Sequence, residues 1–294
     1  MIVIDEILVK KLIKSQFPQW SNLEIKPVLQ MGHDNRTFHL GDTMSVRLPS
    51  DECYAFQSEK EQFWLPRFLA HLPLEIPHII KSGNISDTFP YPWSVCSWIE
   101  GETVNRSTVS DMVQLAKDLA NFLVTFESLD CRNGPVAGKH NFFRGGDLSV
   151  YDKETKDVLS NLPEDFDEQI IKEIWKIALE SKWSKEPVWV HGDITPTNML
   201  VKNGKLTAII DFGILGIGDP ACDLAMYWTY FEGDSKSIFK QAMNLDEDTW
   251  NRARGWVLWK SLLTFDEYIN KDKVKANEAK RIINNIVKEY STMK

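Results

Sequence analysis

The dipeptide Asn203-Gly204 constrains this chain more than any other short feature. It separates two apolar runs, residues 199–201 and 206–210. A two-residue Asn-Gly loop between such runs is the strongest local signal for a β-hairpin, because both residues tolerate the positive φ that the turn demands. A hairpin closed there sets Asn198, at the foot of one strand, opposite Asp211, at the end of the other. An amide oxygen and a carboxylate so placed can share a hard cation such as Mg2+, with phosphate oxygens and water completing its shell.

The flanking residues extend that chemistry. His191-Gly192-Asp193 follows a short apolar strand, residues 188–190, and precedes Asn198 closely. A carboxylate on a loop at a strand end suits phosphoryl transfer to an alcohol, where it accepts or orients the hydroxyl proton. Only seven residues separate Asp211, which opens Asp211-Phe212-Gly213, from Asp219. A protein kinase lays its peptide out on a long activation segment, and this gap has no room for one. The spacing therefore points to a small-molecule acceptor.

Composition sets the class. The 294 residues are 43% hydrophobic and 26% charged, enough for one large domain or two lobes. A formal charge of −8 disfavours nucleic acid as a partner and tolerates a cationic small molecule. The four cysteines are far apart and form no C-x-x-C pair, which reads as reduced thiols. No run approaches the ~20 apolar residues of a membrane span, and no basic-then-apolar leader opens the chain. A cytoplasmic protein without a membrane partner is expected.

Periodicity predicts an amphipathic helix around Ile4, Ile7, Leu8 and Leu12. Strands are expected at 25–29, 36–40 and 44–48, a helix at 54–69, and strands at 79–82 and 93–99. Glu100-Gly101-Glu102 is a polar break suited to a hinge. Beyond it, helices are expected at 109–126, 170–181, 221–231, 250–268 and 276–290. The expected class is α+β. Residues 1–99 form a small β-rich N-terminal lobe for nucleotide, and residues 100–294 a larger, mainly helical lobe for the catalytic loop and acceptor.

Taken in order, these segments resemble the aminoglycoside phosphotransferase family of the protein-kinase-like superfamily. The resemblance rests on residues 191–198, on Ile210-Asp211-Phe212-Gly213 and on the run from Gly218-Asp219-Pro220 through Asp223-Leu224-Ala225. Weaker matches are residues 32–38, Val46-Arg47-Leu48-Pro49 and the stretch from Tyr91 to Glu102. The family implies a bilobal protein-kinase-like fold, ATP or GTP as co-substrate, and Mg2+. It makes Asp193 the catalytic base, with His191 bracing its loop, and makes Asn198 and Asp211 the metal ligands. Asp219 and Asp223 would support the catalytic loop and the acceptor side. Backbone groups of Ser97, Trp98 and Ile99 would receive the purine edge.

Two positions depart from the pattern. The third-strand lysine of such folds is Arg47 here, which keeps the charge and can grip phosphate oxygens in a bidentate way. Its helix partner is expected to be Glu61, with Glu59 in reserve. The phosphate loop has no G-x-G-x-x-G, only Gly32 among polar neighbours. Glu232, Asp234 and Asp266 are candidates for an acidic acceptor lining, with Trp228, Tyr230 and Trp259 as ring surfaces. The expected function is transfer of a nucleotide γ-phosphate to a hydroxyl of a small molecule, first an aminoglycoside-type antibiotic. Antibiotic resistance is what that family name implies. A macrolide, an amino alcohol or a sugar are alternative acceptors, and Arg47 leans toward a nucleotide-binding protein without catalysis.

Overall fold

Apolar and polar side chains alternate through residues 35–49, so one face of these strands has to be covered. The computed structural model describes residues 2–28 and 32–293. In it β1 (Ile25–Pro27), β2 (Asn35–Leu40), β3 (Met44–Pro49), β4 (Ile79–Gly83) and β5 (Trp93–Ser97) form one sheet in the order β1-β2-β3-β5-β4. The first strand was expected to reach Leu29, which lies outside the described residues. Helix α1 (Glu6–Gln16) starts at Asp5, whose carboxylate accepts from the Leu8 N–H at 2.9 Å. Its Val9, Leu12 and Ile13 pack with Phe38, Leu40, Val46, Leu48, Trp93 and Val95. Because Val46 and Leu48 face that core, Arg47 between them points to the other face, where α2 (Ala55–Phe68) lies.

The expected hairpin forms. β8 (Met199–Lys202) pairs with β9 (Lys205–Ile209), and the turn residues Asn203 and Gly204 have φ of 54° and 77°. β6 (Glu102–Thr103) adds to its edge, so part of the polar stretch read as a hinge is a short strand on this sheet. By contacts the chain divides into two units, residues 1–108 with 197–214, and residues 109–196 with 215–294. The hairpin thus packs with the strand-rich residues, although helices flank it in sequence.

The second unit is mainly helical. It holds α3 (Met112–Glu127), α4 (Asp152–Leu159), α5 (Glu168–Glu180), α6 (Met226–Thr229), α7 (Gly233–Met243), α8 (Glu247–Tyr268) and α9 (Lys273–Met293). Two of these, α4 and α7, were not expected; α4 has only Val158 and Leu159 as apolar residues, while α7 carries Ile238, Phe239, Ala242 and Met243 at helical spacing. Residues 221–231 were expected as one helix, but Pro220–Leu224 is a 3-10 turn and α6 is a single turn beyond it. The reason is Asp219 and Asp223, whose side chains turn inward to partners elsewhere. All four cysteines are free thiols. No helix among the described residues is long and apolar enough to cross a membrane.

A small antiparallel pair, β7 (Val188–Val190) with β10 (Gly216–Gly218), carries the His191 loop and Asp219 at its ends. Close approach of backbone explains a glycine there. A Cβ at Gly218 would stand 2.0 Å from the Gly145 carbonyl oxygen, which accepts from the Asp219 N–H at 2.9 Å. Gly218→Ala should therefore destabilise by about 1–3 kcal/mol or more, read by urea denaturation. Gly138→Ala, whose Cβ would meet nothing nearer than 3.6 Å, should change stability by less than about 0.5 kcal/mol.

Candidate active site

The His191 loop is held from below by a carboxylate. Asp223 is 2% exposed and accepts from the N–H of His191 at 2.6 Å and of Gly192 at 2.7 Å. Burial pushes its carboxyl up to about 7, while those N–H bonds and the Arg144 guanidinium pull the other way. His191 is fully buried, and its Nδ1 accepts from the Asp193 N–H at 3.2 Å. An accepting Nδ1 carries no proton, so the geometry assigns the neutral Nε2–H tautomer. Asp193 is half-buried, on a loop whose backbone is held at the residues just before it.

Asp219 is likewise a brace. It is 4% exposed and receives the Arg252 guanidinium through Nε at 2.6 Å and Nη2 at 3.1 Å. Neither Asp219 nor Asp223 is exposed in the way an acceptor-contacting carboxylate would be. Glu127, at the end of α3, joins the same group of charges. Burial first, then Asp223 and Asp219, push its carboxyl up to about 8. The sequence reading missed Arg144, Arg252 and Glu127. The available signal was a charged residue inside an apolar helical stretch, visible for Arg252; Glu127 is the last residue of α3, one beyond the helix expected at 109–126. Arg144 sat in a segment read only as loop.

In the other unit the hairpin positions Asn198 and Asp211. The ladder extends past β9, because the Ile210 N–H donates to the Asn198 carbonyl at 2.9 Å. Asn198 thus stands opposite Ile210, and Asp211 follows one residue beyond the expected pairing. Asp211 has a left-handed backbone, φ 66°, and a side chain 40% exposed. Arg47 reaches both acids. Its Nη1 is 3.0 Å from Glu61 Oε1 and its Nη2 is 3.1 Å from Asp211 Oδ1. Glu59 on the same helix is exposed. Burial disfavours the Arg47 charge, but Glu61 and Asp211 outweigh it and hold the guanidinium above its ordinary value. Gly213 lies against α2, where an added Cβ would stand 2.6 Å from Gln57 Oε1. Gln57 in turn donates to Asp34 at 3.0 Å, next to the Gly32 loop.

The remaining candidates are spread out. The Gly32 carbonyl accepts from Arg36 Nη1 at 2.8 Å, and the residues just before Gly32 lie outside those described. The Ser97 and Trp98 N–H groups already donate to the carbonyls of His78 and Thr43, at 2.9 and 2.8 Å. A purine edge at this segment would have to use carbonyls or the Ile99 N–H. Trp228 and Trp259 are core residues, 2% and 6% exposed, with indoles donating to Glu289 and Glu154. Glu232, Asp234 and Asp266 are exposed. Glu232 borders a cavity of about 310 Å³ beside α9, lined also by Tyr230, Lys236, Arg281, Lys288 and Glu289.

The Arg47 pairing has a measurable consequence. Glu61 has only 4% of its side chain exposed, so removing its cation strands a buried carboxylate. Arg47→Met should cost about 3–5 kcal/mol in urea denaturation, and adding Glu61→Gln should recover much of that loss.

These features can be set beside known proteins. The sequence model of the phosphotransferase enzyme family matches residues 25–256. Ninety residues are 34% identical to the aminoglycoside 3'-phosphotransferase of Escherichia coli, covering 30% of this chain and 32% of that protein. The match thus spans about a third of that relative's length. Over 97% of this chain and 99% of the other, the fold matches the GDP and kanamycin complex of APH(2")-IIia, with TM-score 0.73 and 19% identity. Macrolide 2'-phosphotransferase MphH from Brachybacterium faecium matches with TM-score 0.62 and 18% identity, over 94% of this chain and 98% of that one. The chain belongs to the phosphotransferase enzyme family and has its protein-kinase-like fold.

Proposed function

We propose that this chain is an O-phosphotransferase that moves the γ-phosphate of a Mg2+-bound ATP or GTP to a hydroxyl of a small molecule. The observation that carries the reading is Arg47, a cation bridging a buried helix glutamate and the candidate metal ligand Asp211. That arrangement suits a guanidinium placed for phosphate oxygens and a carboxylate placed for their metal. Asn198 and Asp211 offer two hard oxygen donors, which fits Mg2+, an ion that keeps waters and phosphate oxygens in most positions. When bound it would neutralise charge on the phosphate oxygens. Asp193 would accept or orient the acceptor's hydroxyl proton, with its loop held in one conformation by His191 and Asp223.

The preferred acceptor is a cationic aminoglycoside, in line with the relatives above and with the net charge of −8. A macrolide or a hydroxylated metabolite is the second reading. One observation favours it: the cavity beside α9 sets Lys236, Arg281 and Lys288 alongside Glu232 and Glu289, and Glu289 is already engaged by Lys236 and the Trp228 indole. The short passage from Asp211 to Asp219, which contains β10, supports a small acceptor over a peptide.

Asp193→Ala should lower turnover by about 10²- to 10⁴-fold while leaving nucleotide affinity nearly unchanged. Steady-state kinetics with an acceptor panel, paired with nucleotide titration calorimetry, read both quantities. A variant that keeps near-full turnover would remove Asp193 from the mechanism.

A further inference from the structure

Residues 142–145 concentrate left-handed backbone. Phe142, Phe143 and Gly145 have φ of 50°, 54° and 80°. Glycine takes such angles freely. Two consecutive phenylalanines hold them only where surrounding contacts leave no alternative. The residue inside this segment is Arg144, and the segment delivers it to the catalytic loop. Its Nε donates to the Gly192 carbonyl at 3.1 Å. Its guanidinium lies 5.1 Å from the Trp256 ring centroid and 5.2 Å from that of Trp259. Tyr151 stacks on Trp259 at 3.8 Å, and its hydroxyl donates to the Phe142 carbonyl. The cation is therefore held by aromatic faces. Its Nη1 is buried and has no hydrogen-bond partner among the described residues. Burying an unpartnered donor is unfavourable, so packing alone does not account for an arginine here.

We propose that Arg144 is a positioning residue for Asp193, fixing the Gly192–Asp193 peptide and supplying positive charge to the buried Asp223 brace. Gly192 has φ 84°, and its two neighbouring peptides are held by different partners. Its N–H goes to Asp223 and its carbonyl to Arg144. The carbonyl belongs to the peptide whose N–H, that of Asp193, donates to His191. With both ends tied, that peptide cannot rotate, and the Asp193 side chain leaves the backbone in one direction.

The charge matters because the brace sits among acids. Asp223 shares its surroundings with Glu127 of α3, with Asp193 and His191 of the loop, and with Asp219 and Cys222 of its own turn. Arg144 opposes the burial that pushes Asp223 up to about 7. A carboxyl raised above its unfolded value makes stability fall as pH rises from about 4 through the folded value. Removing Arg144 carries that fall to higher pH, so the variant's deficit widens as pH increases.

The proposal rests on the phosphotransferase reading, and the test separates the two. Wild-type protein is first assayed with Mg-ATP and Mg-GTP over an acceptor panel. Absence of all turnover there speaks against the reading and leaves the thermal arm intact. Arg144→Met should lower kcat by about 10- to 100-fold. Its nucleotide KM should stay within about twofold of wild type. Arg144→Lys keeps the charge without the planar fork and should restore part of kcat. The melting-temperature deficit of Arg144→Met should grow between about pH 5.5 and about pH 8.5, and that of Arg144→Lys should stay level. A methionine variant with wild-type kcat, or one whose thermal deficit is the same at every pH, overturns the proposal.

Discussion

One buried carboxylate organises the loop from His191 to Asp193. An ionised group taken out of water must be met by donors, and Asp223 is met by two consecutive backbone amides, of His191 and Gly192. Those bonds fix the loop at the residues just before Asp193. They also dictate local structure at the other end of the contact. The 3-10 turn at Pro220–Leu224 carries Asp223 inward to those amides. Asp219 repeats the device with Arg252, so both aspartates of this run are architecture.

In the strand-rich unit a cation plays the organising part. Alternation on β3 buries Val46 and Leu48 against α1 and so commits Arg47 to the opposite face. There it pairs with Glu61 and Asp211, joining β3, α2 and the residues beyond the hairpin. A lysine carries the same charge as a point, whereas the guanidinium fork reaches two carboxylates with separate nitrogens. The departure at Arg47 is thus compatible with a site built for anions, and it is what the proposed chemistry needs near a phosphate.

Much of this was legible in residue order. Asn203-Gly204 encodes its turn locally, so the hairpin followed from two residues; its register did not, because the pairing shifts between Leu200 and Val201 and sets Ile210, not Asp211, opposite Asn198. Glu61 was chosen over Glu59 on sequence, and Glu61 is the one that pairs with Arg47. Arg144 was not legible, because nothing local says that a loop with left-handed Phe142 and Phe143 will point an arginine at Gly192. Nor was α4, where only Val158 and Leu159 are apolar, whereas α7 carries Ile238, Phe239, Ala242 and Met243 at helical spacing, a signal the sequence reading missed. Trp228 and Trp259 could serve as ring platforms or as core, with core the better reading from sequence, and tertiary packing makes them core.

In the proposed reaction a γ-phosphoryl group reaches an acceptor hydroxyl. Incubation with γ-labelled Mg-nucleotide and an acceptor panel, followed by mass spectrometry of the acceptors, tests it directly. A phosphorylated acceptor, formed in step with nucleoside diphosphate, is expected. Nucleotide binding with no label transferred to any acceptor, or label passed only to water, would contradict it.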